Sequence, residues 1–93
     1  MQIEEMKTIV SKVYEEMGIP FDLKSRTREN MLAKVIASNI LMDKGVFQRT
    51  IGEVVGKHRT TILYYHELFQ SWLAFPGYYE KELNLYNKIK KAI

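Results

Sequence analysis

Two short basic stretches hold the side chains of this sequence best suited to chemistry. One is Lys24-Ser25-Arg26-Thr27-Arg28; the other is Lys57-His58-Arg59-Thr60-Thr61, with Arg49 shortly before it and Tyr64 shortly after. Guanidinium and ammonium groups pair with phosphate oxygens, and Arg, His and Thr at the start of a helix suit base edges as well as phosphates. The chemistry implied is noncovalent recognition of a polyanion. Covalent and metal chemistry lack their residues. The chain has no cysteine and no Gly-rich phosphate loop with its lysine, and the spacing of His58 and His66 matches no ligand pattern. Glu15 with Glu16, and Glu80 with Glu82, read as solvated surface. The expectation is a protein that is not an enzyme and uses no cofactor, metal or small-molecule substrate.

Two helices must position the second stretch. Phe47, Ile51, Val54 and Val55 keep helical spacing up to Gly56, which adopts the left-handed backbone without steric cost and so stops a short helix. After the turn, Ile62, Tyr65, Phe69 and Trp72 recur at helical intervals and give a second helix of about four turns one apolar stripe. Arg59, Thr60, Leu63, Tyr64 and Glu67 then occupy its opposite face. Gly52, one turn before Gly56, fits a place where two steeply crossing helices need almost no side chain. Helix pairs joined by a glycine turn are common in small helical proteins. This second helix differs in opening with Lys57-His58-Arg59-Thr60-Thr61 rather than with Glu/Lys pairs, and the stretch from Ile51 to Phe69 reads as a helix-turn-helix.

The rest of the chain supplies a frame. Ile3, Met6, Ile9, Val10, Val13, Tyr14 and Met17 predict a helix over about 2–17, ended by Gly18. Ile19-Pro20-Phe21-Asp22-Leu23 is expected to be a connector that tucks Ile19, Phe21 and Leu23 into the core, with Asp22 accepting hydrogen bonds from amides just ahead. Thr27 is placed to cap a helix over about 28–42. Met31, Leu32, Val35, Ile36, Asn39 and Ile40 lie on and around its buried face, and Ala33 and Ala37 permit close approach, so it is the expected central packing element. Asp43-Lys44-Gly45 breaks it. Beyond Trp72, Phe75-Pro76-Gly77 is a second breaker. Tyr79, Leu83, Tyr86, Ile89 and Ile93 then mark a last amphipathic helix whose Lys88, Lys90 and Lys91 suit its negative dipole end. The fold class is all-α, about five helices in a single domain over 1–93.

With 93 residues, there is material for one core and one task. A 46% hydrophobic content with only two prolines argues against disorder. No apolar run of about 18 residues is found, so a membrane span is not expected and the cytoplasm, in association with the nucleoid, is the expected location. The net charge of +3 is spread unevenly: Met1 to Leu23 holds two bases against five acids, whereas Lys24 to Arg59 holds eight against three. A polyanion is favoured at that middle segment, and double-stranded DNA is the expected partner.

Several landmarks also fall in a familiar order. The first helix carries Val13-Tyr14, followed by Asp22-Leu23-Lys24-Ser25-Arg26; Arg26-Thr27-Arg28 stands for an Arg-Pro-Arg, Ile51-Gly52 opens the helix-turn-helix, and Thr60-Thr61-Ile62-Leu63 gives Thr-Thr with two aliphatics. In this order they resemble the C-terminal DNA-binding domain (domain IV) of the bacterial replication initiator family DnaA, of the Trp-repressor-like helix-turn-helix group. The resemblance runs from about Ile3 to Phe69, making 1–73 a DnaA-like core and 76–93 an added helix. It implies that Arg26, with Arg28 as a second candidate, enters a minor groove while Arg59, Thr60 and Thr61 read a major groove. Where that family has Gly-Gly-Arg-Asp-His before Thr-Thr, this chain has Val55-Gly56-Lys57-His58-Arg59, with a turn one residue shorter and no Asp. The connection from Met42 to Thr50 is longer, and none of these 93 residues resembles the initiator's nucleotide-binding domain. A stand-alone regulator of transcription or replication, of phage or mobile-element origin, is the expectation.

Two rivals come from other classes. A protein-interaction adaptor would keep the fold and use Leu63, Tyr64 and the C-terminal tyrosines against a protein partner. Single-stranded nucleic acid binding would need those tyrosines as stacking platforms, but their helical spacing assigns them to a core. The same tyrosines would cover either the preceding helix or a second copy, which leaves open a homodimer through the C-terminal helix.

Overall fold

Five apolar periodicities become five helices. The computed structural model describes residues 1–93 and contains α1 (Ile3–Met17), α2 (Arg28–Asp43), α3 (Gln48–Val55), α4 (Arg59–Ala74) and α5 (Glu80–Ala92), with no strand. The protein is all-α, and the boundaries fall within a residue or two of those expected. No helix is long and apolar enough to cross a membrane.

α2 is the centre, but not as a one-sided helix. Every residue from Ala33 to Leu41 is buried. A run longer than two turns leaves no exposed face, and α1, α3 and α4 all pack against it. Met31, expected on the buried face, is instead 42% exposed, because the fully covered run begins only at Ala33, two residues later. The polar side chains inside this segment mostly find partners, as buried groups must. Asn39 Nδ2 donates to the Val35 carbonyl at 2.8 Å and the Tyr65 carbonyl at 3.2 Å, and its Oδ1 lies 3.2 Å from His66 Nδ1, which ties α2 to α4. The Ser38 hydroxyl is buried without one. Around them Val10, Val13, Tyr14, Ile36, Ile40, Ile51, Val55 and Ile62 form the core, each such side chain stabilising the fold by about 1.5–3 kcal/mol.

Gly56 ends α3 in the left-handed region at φ 73°, and the Lys57 amide donates to the Gly52 carbonyl at 2.8 Å. That bond is the signature of a Schellman turn. A Cβ on Gly52 would overlap the Lys57 carbonyl oxygen and stand 3.6 Å from the Arg59 amide nitrogen. Gly52 is therefore required by the backbone of the turn, not by a facing helix as its spacing suggested. The two glycines fold the chain back on itself and fix where α4 begins.

Two aromatic assignments change. Phe47 is 81% exposed, because α3 starts at Gln48 and the extended backbone at Phe47 points it away from the helical face; Val46 packs on the core in its place. Phe21 is half-exposed and lies edge-on to the Tyr14 ring, centroids 5.1 Å apart, while Ile19 and Leu23 do pack inward. After the turn at Phe75, α5 returns across α1 and α4. Tyr86 meets Phe69 at 4.5 Å and Tyr79 meets Trp72 at 6.5 Å, so both tyrosines cover α4.

Candidate nucleic-acid interface

The basic loop is built by short-range hydrogen bonds. Asp22 accepts the Lys24 amide on its carboxylate at 3.0 Å and the Ser25 amide on its carbonyl at 3.3 Å. Thr27 caps α2 as expected, its hydroxyl accepting the Asn30 amide at 3.2 Å. From beneath, Asn30 Nδ2 donates to the Asp22 carbonyl at 2.6 Å, and the Tyr14 hydroxyl donates to Asn30 Oδ1 at 2.8 Å. Lys34 Nζ donates to the Leu23 carbonyl.

The start of α4 is set by His58. As its N-cap, the imidazole Nδ1 accepts the Thr60 amide at 3.2 Å and lies 2.9 Å from Thr60 Oγ1. A ring nitrogen that accepts carries no proton, so the neutral ring has Nε2–H as its donor. Arg59, Thr60, Leu63, Tyr64 and Glu67 are all exposed, as the periodicity placed them, and Thr61 is half-buried.

Two open depressions adjoin at this end. The first, about 310 Å³, separates the basic loop from α4 and is lined by Ser25, Arg26, Thr27, Lys57, Thr61 and Tyr64 above Met31, Lys34 and Tyr65. The second, about 420 Å³, covers the α3–α4 turn and is lined by Arg49, Gly52, Glu53, Gly56, Lys57, His58 and Arg59. Lys57 belongs to both. Of the residues expected to bind, Arg26, Lys57, Thr61 and Tyr64 share the first depression and Arg49, Lys57, His58 and Arg59 the second. Lys24, Arg28 and Thr60 are exposed but line neither.

The cations here are uncompensated. The one ion pair in the protein joins Lys90 to Asp43 at 2.9 Å, away from both depressions. No carboxylate lines the first depression, and Glu53 is the single one in the second. α4 has no acid in its first turn and begins with Arg59, after Lys57 and His58. A helix N-terminus already carries positive partial charge, so cations there oppose the dipole and add to a field that attracts anions.

Sequence reasoning missed Lys34 and Asn30. Lys34 is 2% exposed, and its ammonium titrates below the ordinary lysine value, chiefly through burial and then through the neighbouring Lys57 charge, with Asp22 opposing. The available signal was a lysine set between Ala33 and Val35 in an otherwise apolar run. Asn30 carried no signal, since its partners Tyr14 and Asp22 are distant in sequence or belong to the loop. In comparisons with known proteins, no family model, curated protein or solved structure matches this chain.

Proposed function

We propose that this chain is a sequence-specific double-stranded DNA-binding protein, built on a DnaA domain IV-like helix-turn-helix and acting as a regulator of transcription or replication. One observation carries the reading: Arg26, Arg49, Lys57 and Arg59 line two adjoining depressions at the N-terminal end of α4 with no carboxylate paired to any of them. Unpaired cations at a helix start are unfavourable for the fold alone and suited to phosphates. In this reading α4, a helix about 10–12 Å across, enters a major groove about 12 Å wide. Arg59 and Thr60 reach base edges, Thr61 a thymine methyl or a phosphate, and Arg26 an adjacent minor groove. Lys24, Arg28, Arg49 and Lys57 hold phosphates. The exposed Leu63 and Tyr64, 42% and 52% accessible, are what an adaptor would offer a protein partner instead.

The test is selection of bound sites from random duplexes, then competition by the initiator's own box. With His58-Arg59 where the resembled family has Asp-His, a guanidinium that favours guanine acceptors replaces an imidazole. Two changed contacts at roughly 1–3 kcal/mol each disfavour the initiator box by on the order of a hundredfold. Arg59→Ala should relax preference at one base pair. Equal competition by the initiator box, or an unchanged preference in Arg59→Ala, removes Arg59 as the reader.

A further inference from the structure

We propose that Lys34 and Asn30 are positioning residues for the basic loop: buried side chains one turn apart on α2, they hold the Asp22 and Leu23 carbonyls and so keep Arg26 in one groove with Lys57, Thr61 and Tyr64. The inference rests on the reading of this loop as a DNA contact and adds what makes the loop rigid before DNA arrives.

A lysine 2% exposed is unusual, since lysines are almost never fully buried unless paired. Lys34 has no carboxylate within 4.0 Å, and its protein hydrogen bond goes to the carbonyl of Leu23, eleven residues earlier. Desolvating an ammonium for one neutral acceptor weakens the fold, and an apolar side chain of similar length fills such a position at lower cost. The placement makes sense through what the bond holds. Leu23 immediately precedes the first cation of the loop.

Asn30 completes the clamp. Its amide donates to the Asp22 carbonyl at 2.6 Å, its orientation is set by the Tyr14 hydroxyl at 2.8 Å, and its backbone amide engages Thr27 at 3.2 Å. Residues 22, 23 and 27 are thus anchored to α2, and Lys24, Ser25 and Arg26 span the interval between anchors. A loop ordered in the free protein does not lose that freedom on binding, so the stiffness appears as affinity.

The decisive variant is Lys34→Met, studied as the full chain by amide hydrogen exchange, thermal unfolding and duplex titration. The Lys24 and Ser25 amides, both bonded to Asp22, should exchange roughly tenfold faster while α4 amides do not change. The melting temperature should stay or rise. Affinity for the best selected duplex should fall roughly tenfold, and this loss should vanish in an Arg26→Ala background. Tyr14→Phe, which frees the Asn30 amide without touching the loop, should shift exchange and affinity the same way by a smaller factor. Unchanged exchange at Lys24 and Ser25 in both variants overturns the clamp, whatever happens to DNA. Faster exchange with undiminished affinity overturns the positioning role while the DNA reading stands. If the parent chain binds no duplex at all, the DNA reading fails by itself, and the positioning role falls with it, even where the exchange data show the clamp.

Discussion

α5 and the start of α4 are built by opposite electrostatic rules. α5 opens with Glu80 and Glu82, closes with Lys90 and Lys91, and spends Lys90 on Asp43, whose carboxyl is held below the usual aspartate range by that hydrogen bond. Its charges follow the helix dipole. α4 opens on Arg59 with no acid in its first turn, and Lys57 shortly precedes it. The contrast separates charges that serve the fold from charges that no ion pair engages. The buried chemistry divides the same way. The far end of α4 is closed by apolar and aromatic packing, Trp72 against Phe69 and Tyr79 and Phe69 against Tyr86, whereas the loop end is held by Asn30, Lys34 and Tyr14 through directed hydrogen bonds. Packing tolerates small shifts. Hydrogen bonds to two successive carbonyls fix a backbone.

The contrast breaks if the two ends prove inseparable, and Trp72 gives the largest lever. It is 4% exposed and thirteen positions after Arg59, roughly 20 Å along the helix. Trp72→Ala should lower stability in denaturant unfolding by about 3–5 kcal/mol. The fraction still folded should bind duplex within about twofold of the parent, as expected for distant sites that share no partner. A tenfold loss of affinity in that folded fraction would show that the aromatic end shapes the reading surface.

A smaller effect sharpens the loop side. Burial pushes the Tyr14 phenol up to about 12 from 10.0, with Tyr65 and Asp22 adding to the shift. A raised folded value means that the neutral phenol is favoured in the fold, so its contribution is fully present below pH 10 and is lost as pH rises toward 12. The loss is on the order of 2–3 kcal/mol. Tyr65 and Tyr86 are also raised by burial. The share owed to Tyr14 is therefore the difference in alkaline unfolding between the parent and Tyr14→Phe. Identical alkaline profiles would show that the fold does not hold the Tyr14 phenol as a buried neutral group.

Much of this architecture was legible in the sequence because it is local. Helical spacing of apolar residues, the Thr27 cap and the Gly56 turn each depend on residues within a turn or so of one another, and all three stand where they were expected. The misplacements occur where a local pattern meets its boundary. Phe47 keeps perfect spacing with Ile51 but sits one residue before the helix, and Met31 precedes the covered part of α2. For the candidate site, residue types and exposure could be read from the chain. The groove between Arg26 and Thr61 could not, since it depends on how α2 and α4 cross. Lys34 stood out only as a lysine in an apolar run, and its role could not be read for a like reason: its acceptor lies eleven residues away in a loop whose course no local pattern sets.

The central claim is that the unpaired cations around the α4 start meet DNA phosphates, and the salt dependence of duplex binding tests it most directly. Lys24, Arg26, Arg28, Arg49, Lys57 and Arg59 are all exposed. If most of them displace counterions from duplex, log affinity should fall linearly with log salt with a slope of about −4 to −5, several hundredfold between about 50 and 200 mM. Removing Lys57, which lines both depressions, should reduce the slope by about 1. Duplex binding absent at low salt, or binding whose affinity does not change with salt, would contradict the account.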